Sequence, residues 1–276
     1  MRFVTLLVLA GALYGCSTLR FAYENADTYL RWRLGSYLDV QGEAAEELDE
    51  RIDLFLDWHR AHALPKYARI AAEAGQRFGD KLSPEDLVWG YDTVMTQARE
   101  SLRTGAEKIA PMIDRLTPKQ VAHMEQRFAE ENRKFAREYL RGSERERKRR
   151  RALRIIDRLE DWVGTLSQAQ AERVKQFSER SPLTDEHRDR DRRRLQTDIL
   201  TIVRAREAEK RLPNRLADWQ AGRDPAFSAA NEALRRDFFG LLLDLDRDLS
   251  AEQRARAVAQ FRRYGEDLQV LANRPR

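Results

Sequence analysis

Residues 116–140 read LTPKQVAHMEQRFAEENRKFAREYL, and this stretch decides the fold class. Thr117 stands at the N-cap position of a helix, Pro118 at the first helical position and Gln120 at the third, which is a complete helix-start pattern. After this start, apolar residues recur at spacings of three and four as far as Tyr139. That period is typical of an amphipathic helix, so the stretch predicts one long helix with a single buried face.

The pattern Leu-Ser/Thr-x-x-Gln recurs along the chain, with Asp in place of Gln in one copy. The four copies begin at Leu82, Leu116, Leu166 and Leu249. Aromatic residues that follow three of these starts by about three turns are Phe128, Phe177 and Phe261. We expect each of these Phe side chains on the buried face of its helix. The intervals between the copies are irregular, so a solenoid of fixed period is not expected.

The composition favours the same fold class over the whole chain. Charged residues make up 35% of the 276 residues, and there are only 13 Gly and 8 Pro. Long, charged amphipathic helices have this profile, whereas sandwiches, barrels and Gly-rich nucleotide-binding folds do not. We therefore predict an all-α, multi-helix array of helical hairpins. Predicted breaks between helices are Leu64-Pro65, Gly79-Asp80, 141–143, Ser181-Pro182, Leu212-Pro213 and 222–225. None of these breaks is a long linker, so residues 23–276 are predicted to form a single helical domain, with a subdivision near Gly142 as the alternative.

The amino terminus predicts export and lipidation. A basic start at Met1 and Arg2 is followed by an apolar run over residues 3–13, which is shorter than the roughly 20 residues of a membrane-spanning helix. Residues 1–15 are therefore interpreted as a cleaved signal peptide. The residues that precede Cys16 resemble the lipobox of bacterial lipoproteins, in which the cysteine becomes the lipidated first residue. The alternative is an ordinary signal with an incidental cysteine.

If Cys16 carries lipid such as palmitate, residues 16–22 form a lipidated tether and the protein is bound to a membrane. The next residue is Ser17 rather than Asp, and by resemblance to lipoprotein sorting signals this implies the outer membrane, facing the periplasm. No second stretch reaches the length of a membrane span.

The first quarter of the mature chain carries a family resemblance. Its distinctive residues are Tyr23, Asn25-Ala26-Asp27, Leu30, Trp32, Tyr37, Asp39, Trp58-His59-Arg60, Leu64-Pro65 and Tyr67. With the lipobox and the helix starts, they resemble an uncharacterised family of all-helical lipoproteins from Gram-negative bacteria. A looser similarity links the Leu-Thr-x-x-Gln pattern to small periplasmic stress chaperones. Neither resemblance implies a catalytic residue.

Two histidines and a tryptophan form the first candidate ligand or partner contact. His59 and His62 are three residues apart beside Trp58, close enough on one helix face to share a metal ion. Both continue the stripe of Leu48 and Ile52, however, and a histidine on such a stripe is usually a packed structural residue. No third ligand is identifiable, so no metal site and no cofactor are predicted.

Aromatic and basic residues follow the predicted tether, and Trp32 is the second candidate contact. Tyr29 and Trp32 are expected to pack in the core, with contact to lipid headgroups as the alternative.

A basic run between Arg145 and Arg154 contains the third candidate contact, Arg149, Arg150 and Arg151. It is expected to be a solvated helix face, or else a site for an anionic envelope component or an acidic protein. A second run, Arg188 to Arg194, contains Asp189 and Asp191 and is expected to pair internally. Nucleic acid is not an expected partner, because the net charge is only +5 and the predicted address is outside the cytoplasm.

Signature motifs of common enzymes are missing from the sequence, so no catalytic residue is assigned and the chain is predicted not to be an enzyme. The function expected is a lipid-anchored envelope protein that serves as a periplasmic interaction or scaffold module. The alternatives are a chaperone-like binder of unfolded proteins and, less favoured, an envelope hydrolase.

Overall fold

Residues 18–274, which the computed structural model describes, form helices and turns and contain no β-strand. The helices are α1 (Thr18–Glu24), α2 (Ala26–Leu38), α3 (Glu43–Trp58), α4 (Leu64–Gly79), α5 (Pro84–Ile113), α6 (Pro118–Phe135), α7 (Glu144–Val163), α8 (Gln168–Arg180), α9 (Asp185–Arg204), α10 (Ala208–Ala217), α11 (Pro225–Asp246) and α12 (Ala251–Asn273). Two π-helical turns, His59–Ala63 and Ala136–Leu140, join α3 to α4 and follow α6. The prediction of an all-α fold is confirmed. The predicted signal peptide and Cys16 lie outside the described residues.

The four helix starts predicted from the sequence are formed by capping boxes, in which the N-cap residue and the third helical residue cap each other's backbone N–H groups. At α6 the Thr117 hydroxyl accepts from the backbone N–H of Gln120, and the Gln120 side chain accepts in return from the backbone N–H of Thr117. The same reciprocal pair begins α5, α8 and α12. A further box, Ser143 with Glu146, begins α7 and was missed by sequence reasoning. These caps satisfy backbone donors that a helix start leaves unpaired.

The first of two buried clusters is formed by α2, α3, α6, α9, α10 and the second half of α5. Its fully buried side chains include Leu48, Ile52 and Leu212. Phe128 packs against this cluster while remaining partly exposed. The start of α10 is capped from outside the helix, because the Asp114 carboxylate accepts from the backbone N–H groups of Ala208 and Glu209.

The second buried cluster is formed by α7, α8, α11 and α12, with Phe78 of α4 packed against it. Val174 and Phe177 are buried at its centre, as expected for Phe177. Helix α5 has 30 residues and is therefore about 45 Å long. Its second half lies in the first cluster and its first half lies beside the second cluster, so this helix connects the two.

Helices α4 and α12 pack closely because small residues lie between them. A Cβ atom on Gly75 would lie 3.2 Å from Cβ of Phe261, and one on Gly265 would lie 3.4 Å from the carbonyl oxygen of Ala68. Larger side chains would force the helices apart at these points.

Two predicted helix breaks are wrong. At Leu64-Pro65 the helix continues through a π-helical turn, in which the Leu64 N–H donates to the carbonyl of His59 five residues back. The wider turn accommodates Pro65, which has no N–H and would clash with the carbonyl four residues before it. Pro213 lies inside α10 because the short helix is held by its external cap and by packing of its buried residues on α5. The other four predicted breaks coincide with helix ends.

Candidate functional site

An apolar cavity of about 660 Å³ lies between α4, α5, α7, α11 and α12. Its aromatic lining comprises Tyr67, Phe78, Trp89, Tyr91, Trp162, Phe239, Phe261 and Tyr264. Trp162 is central, with its ring centroid 4.6 Å from that of Phe261 and 5.4 Å from that of Tyr264. The volume falls within the range of roughly 300–1,000 Å³ that is typical of small-molecule sites. Phe261 was expected on a buried face, and it instead lines this cavity, half-buried.

One end of the cavity is built by three of the four helix-start motifs. Leu82, Leu166 and Leu249, the first residues of these motifs, all line it. The Gln residues of two motifs hold this end together. Gln170, which is 2% exposed, and Gln253 donate to each other's side-chain oxygen at 3.0 Å.

The other end of the cavity lies beside the amino-terminal helix. Leu19 of α1, Tyr67 of α4 and Leu268 of α12 line it. From Tyr67 to Phe78, α4 rises by roughly 16 Å at 1.5 Å per residue, so the cavity is elongated along the helices. Leu19 is only three residues from Cys16 in the sequence.

Charges that line the cavity are paired within the protein. The Arg77 guanidinium lies 2.7 Å from Oδ1 of Asp86, and its carbon lies 4.3 Å from the ring centroid of Trp89. Hydrogen bonds from the Ser83 hydroxyl and backbone N–H, followed by that of Arg77, lower the pKa of Asp86 to about 2. Asp246 is buried and lies 3.0 Å from Arg254. The lining therefore presents apolar surface with no charge left to neutralise a ligand of opposite sign.

Sequence reasoning missed this cavity. The signals that could have found it are Gly90 and the motif leucines. Gly90 lies inside α5, and a Cβ atom on it would meet nothing within 4 Å because it lines the cavity. A glycine inside a helix costs stability relative to alanine. Gly90 has no neighbouring atom that would exclude a larger side chain, so this glycine indicates open space beside α5.

His59 lies where α1 and α3 meet. Its Nδ1 is 3.1 Å from the Tyr23 hydroxyl oxygen, and its ring also contacts Phe55 and Tyr67. Burial lowers the pKa of His59 to about 4, so the imidazole is neutral at pH 7, and one ring nitrogen donates while the other accepts. These contacts agree with the structural interpretation of His59.

His62 is exposed, and the expectation that it continues the buried stripe is wrong. Its ring stacks on that of Trp58, and its Nδ1 lies 3.1 Å from the Trp58 carbonyl oxygen. The π-helical turn advances the chain by a smaller angle per residue than an α-helix, which rotates His62 away from the stripe. Among residues 18–274, no group of three or more His, Cys, Asp or Glu side chains is placed to hold a metal ion.

Three aromatic side chains of α1 and α2 face solvent. Phe21 is 66% exposed, Tyr29 56% and Trp32 62%. The expectation that Tyr29 and Trp32 pack in the core is wrong, because α2 buries its other side, which includes Leu30 and Leu34, against the first cluster. We call Phe21, Tyr29 and Trp32 the aromatic face.

The neighbouring arginines fix this part of the chain to the body. Arg20 pairs with the buried carboxylate of Asp267 on α12. Arg31 lies 2.8 Å from Asp53 of α3. Through these pairs α1 and α2 are held against the helices that follow, and the aromatic face is left outward.

The basic run of α7 divides into structural and exposed side chains. Arg151 donates to the carbonyl oxygens of Ser178, Ser181 and Pro182, at the carboxyl end of α8. Arg150 donates to the carbonyl of Arg141. Both are therefore used within the fold.

Arg149 differs from these neighbours, since it is exposed and has no ion-pair or hydrogen-bond partner within residues 18–274. Of the three candidate contacts in this run, it alone presents a guanidinium that makes no hydrogen bond to another described residue. In the second run, the expected internal pairing is confirmed by Arg193 with Asp189 and Arg194 with Asp191, each at 2.8 Å.

Within the described part of the chain, no helix combines the length and apolar character required to cross a membrane.

These features define a class: an all-α array with an elongated apolar cavity that is partly open to solvent, and with an exposed aromatic face on its amino-terminal helices. The model of a family of unknown function, DUF6279, matches residues 36–224, which is more than half of the chain. The chain therefore belongs to this family. This confirms the expected resemblance to an uncharacterised family, and residues 18–274 form helices joined by turns without a strand. No curated protein and no solved structure matches the chain.

Proposed function

We propose that the protein is a lipid-anchored envelope protein that acts at the membrane surface as an interaction or scaffold module. The observation that carries this proposal is the aromatic face. Tryptophan and tyrosine side chains favour the headgroup level of a bilayer. The rings of Tyr29 and Trp32 lie next to each other, with centroids 5.9 Å apart, and both are exposed.

The aromatic face is suited to this role by its place in the chain. Phe21 follows Cys16 by five residues, and an extended chain reaches at most about 3.5 Å per residue. A lipid on Cys16 would therefore hold Phe21 within roughly 18 Å of the bilayer. The pairing of Arg20 with Asp267 fixes α1 to the body, so the anchor would also orient the body.

The partner surface that we propose is the exposed part of the basic run. Arg145, Arg149 and Arg154 are exposed on α7, although the Arg154 guanidinium also lies 5.7 Å from the ring centroid of Tyr139. The other cations of the run donate hydrogen bonds to neighbouring elements of the fold. Their summed field raises the local concentration of anions, which favours an acidic envelope protein or an anionic envelope component. We propose no catalytic role, cofactor or nucleic-acid partner.

Photocrosslinking in cells tests the module. A photoreactive residue at Arg149 should capture a specific acidic protein or an anionic envelope component, and one at Trp32 should capture lipid. Arg158, which is on the same helix with a 79% exposed side chain, is the matched control and should capture less. Equal capture at Arg149 and Arg158 would contradict the partner surface, and capture of many unfolded chains would favour the chaperone alternative. If purified protein turned over an envelope substrate instead, the hydrolase alternative would replace the module.

A further inference from the structure

We propose that the cavity binds the hydrocarbon chain of a membrane lipid, with the polar headgroup of that lipid outside. This goes beyond a surface interaction module, because it assigns the interior of the protein a ligand of defined chemistry. The position of the cavity beside a bilayer rests on the proposed lipid at Cys16, whereas the binding of a hydrocarbon chain in the cavity does not depend on that lipid.

The chemistry of the lining selects an uncharged, apolar ligand. Eight aromatic rings and the motif leucines surround the space, and burying a hydrocarbon chain there would remove apolar surface from water on both partners. Arg77 is paired with Asp86, and Arg254 with Asp246. An anion in the interior would have no free cation to meet it, and burying an unpaired charge is strongly unfavourable.

The dimensions fit one extended acyl chain. The lining helix α4 rises by roughly 16 Å between Tyr67 and Phe78. The hydrocarbon core of a bilayer is about 30 Å thick, so the chains of one leaflet extend over about 15 Å. A cavity of about 660 Å³ with this length suits a single long chain better than a folded bulky ligand.

The position of the cavity identifies the bilayer as the source of the chain. Leu19 lines one end and is three residues from Cys16, which corresponds to at most about 10 Å of extended chain. The aromatic face lies on α1, the helix that also carries Leu19, and on the following helix α2. The opposite end is formed by the motif leucines and the Gln170–Gln253 pair. A lipid chain would therefore enter most directly from the Leu19 end.

The test uses the full chain with Cys16→Ala, so that no covalent acyl chain of its own can occupy the cavity. The probe is 9,10-dibromostearate, whose bromines quench tryptophan fluorescence on contact, and a Trp32→Phe background removes the fluorescence of the exposed Trp32 from the signal. We expect saturable quenching, and we expect Trp162→Phe to reduce its amplitude. Lipid extracted from the purified protein should contain membrane phospholipid in stoichiometric amount.

Cavity-filling variants provide the matched comparison. Gly90→Leu places a side chain in the cavity, whereas Gly240→Leu makes the same helix-favouring change on α11 at a glycine that does not line it and also has no atom within 4 Å of its Cβ position. We expect Gly90→Leu to weaken binding at least tenfold and Gly240→Leu to leave it unchanged. Ala74→Leu, from the α4 side, should act like Gly90→Leu and serves if that variant does not fold.

Three results would overturn the proposal: no quenching and no bound lipid in the Cys16→Ala chain, quenching that Trp162→Phe does not reduce, or equal binding by the Gly90→Leu and Gly240→Leu variants. Bound lipid in this chain would support the cavity even if the wild type carried no lipid on Cys16. Failure of the anchor and failure of the cavity are therefore distinguishable.

Discussion

Gln170→Glu separates two roles of Gln170: its side-chain oxygen caps the start of α8, and its side-chain Nε2 donates hydrogen bonds to other segments. A capping box accepts Glu as readily as Gln at its third position, because only the side-chain oxygen is needed to cap the backbone N–H of Ser167. In the structure, Gln170 also uses its Nε2 to donate to the carbonyl of Asp248 at 3.1 Å and to Oε1 of Gln253 at 3.0 Å. A carboxylate at this position keeps the cap and loses both donations.

The cost follows from the burial of Gln170, which is 2% exposed. A buried acceptor that loses its donor costs about 1–3 kcal/mol, and a buried carboxylate facing two oxygens costs more. We therefore expect Gln170→Glu to reduce the free energy of unfolding by about 3 kcal/mol or more at pH 7. The loss should shrink as pH falls, since a protonated carboxyl recovers one donor.

Urea unfolding followed by circular dichroism measures this difference at pH 7 and pH 5. The matched control is Gln120→Glu, where the cap is equivalent but the amide makes only one longer donation, of 3.3 Å to the carbonyl of Asp39. We expect the control to lose about 1 kcal/mol or less. Equal losses for the two variants would refute the role of the Gln170–Gln253 pair.

Three further predictions concern single contacts. Because burial holds the pKa of His59 at about 4, below the unfolded value of about 6.5, the neutral form is favoured by folding. Neutral His59 therefore contributes up to about 3 kcal/mol to the free energy of unfolding above pH 6.5, and this contribution is lost as the pH falls from 6.5 towards 4. In urea titrations over this pH range, the wild type should lose more stability than His59→Phe. Arg151→Lys should reduce the free energy of unfolding by about 1–3 kcal/mol, because a lysine ammonium cannot reproduce the guanidinium fork that donates to three carbonyl oxygens. A melting temperature of Arg151→Lys that is no lower than that of Arg149→Lys would contradict this. Thr117→Ala should cost about 1 kcal/mol through one lost cap, and an unchanged urea midpoint would argue against that cap.

The fold class and the helix starts were predictable because they depend on local chemistry. Residues such as Thr117 and Gln120 act over three positions of the chain, so their pattern and their contacts coincide. The same reasoning wrongly predicted a helix break at Pro65. A proline usually ends a helix, but here a π-helical turn accommodates it and the helix continues. The choice between these outcomes depends on packing of the flanking helices, which no local pattern contains.

The candidate sites were less predictable because exposure is decided by distant segments. Trp32 and Leu34 lie on the same helix, and only the position of the first buried cluster determines which of them faces solvent. Arg149 and Arg151 are equivalent in the sequence, yet only Arg151 reaches the end of α8. The cavity combines residues from seven helices, so its lining follows from the tertiary arrangement alone.

Metabolic labelling with an alkyne fatty acid tests the proposed anchor most directly, in cells that express the wild type or Cys16→Ala. We expect the wild type to be labelled and recovered with the membrane fraction, and we expect Cys16→Ala to lose both the label and its retention by lipid. Labelling of the Cys16→Ala chain to the same extent as the wild type would contradict this expectation.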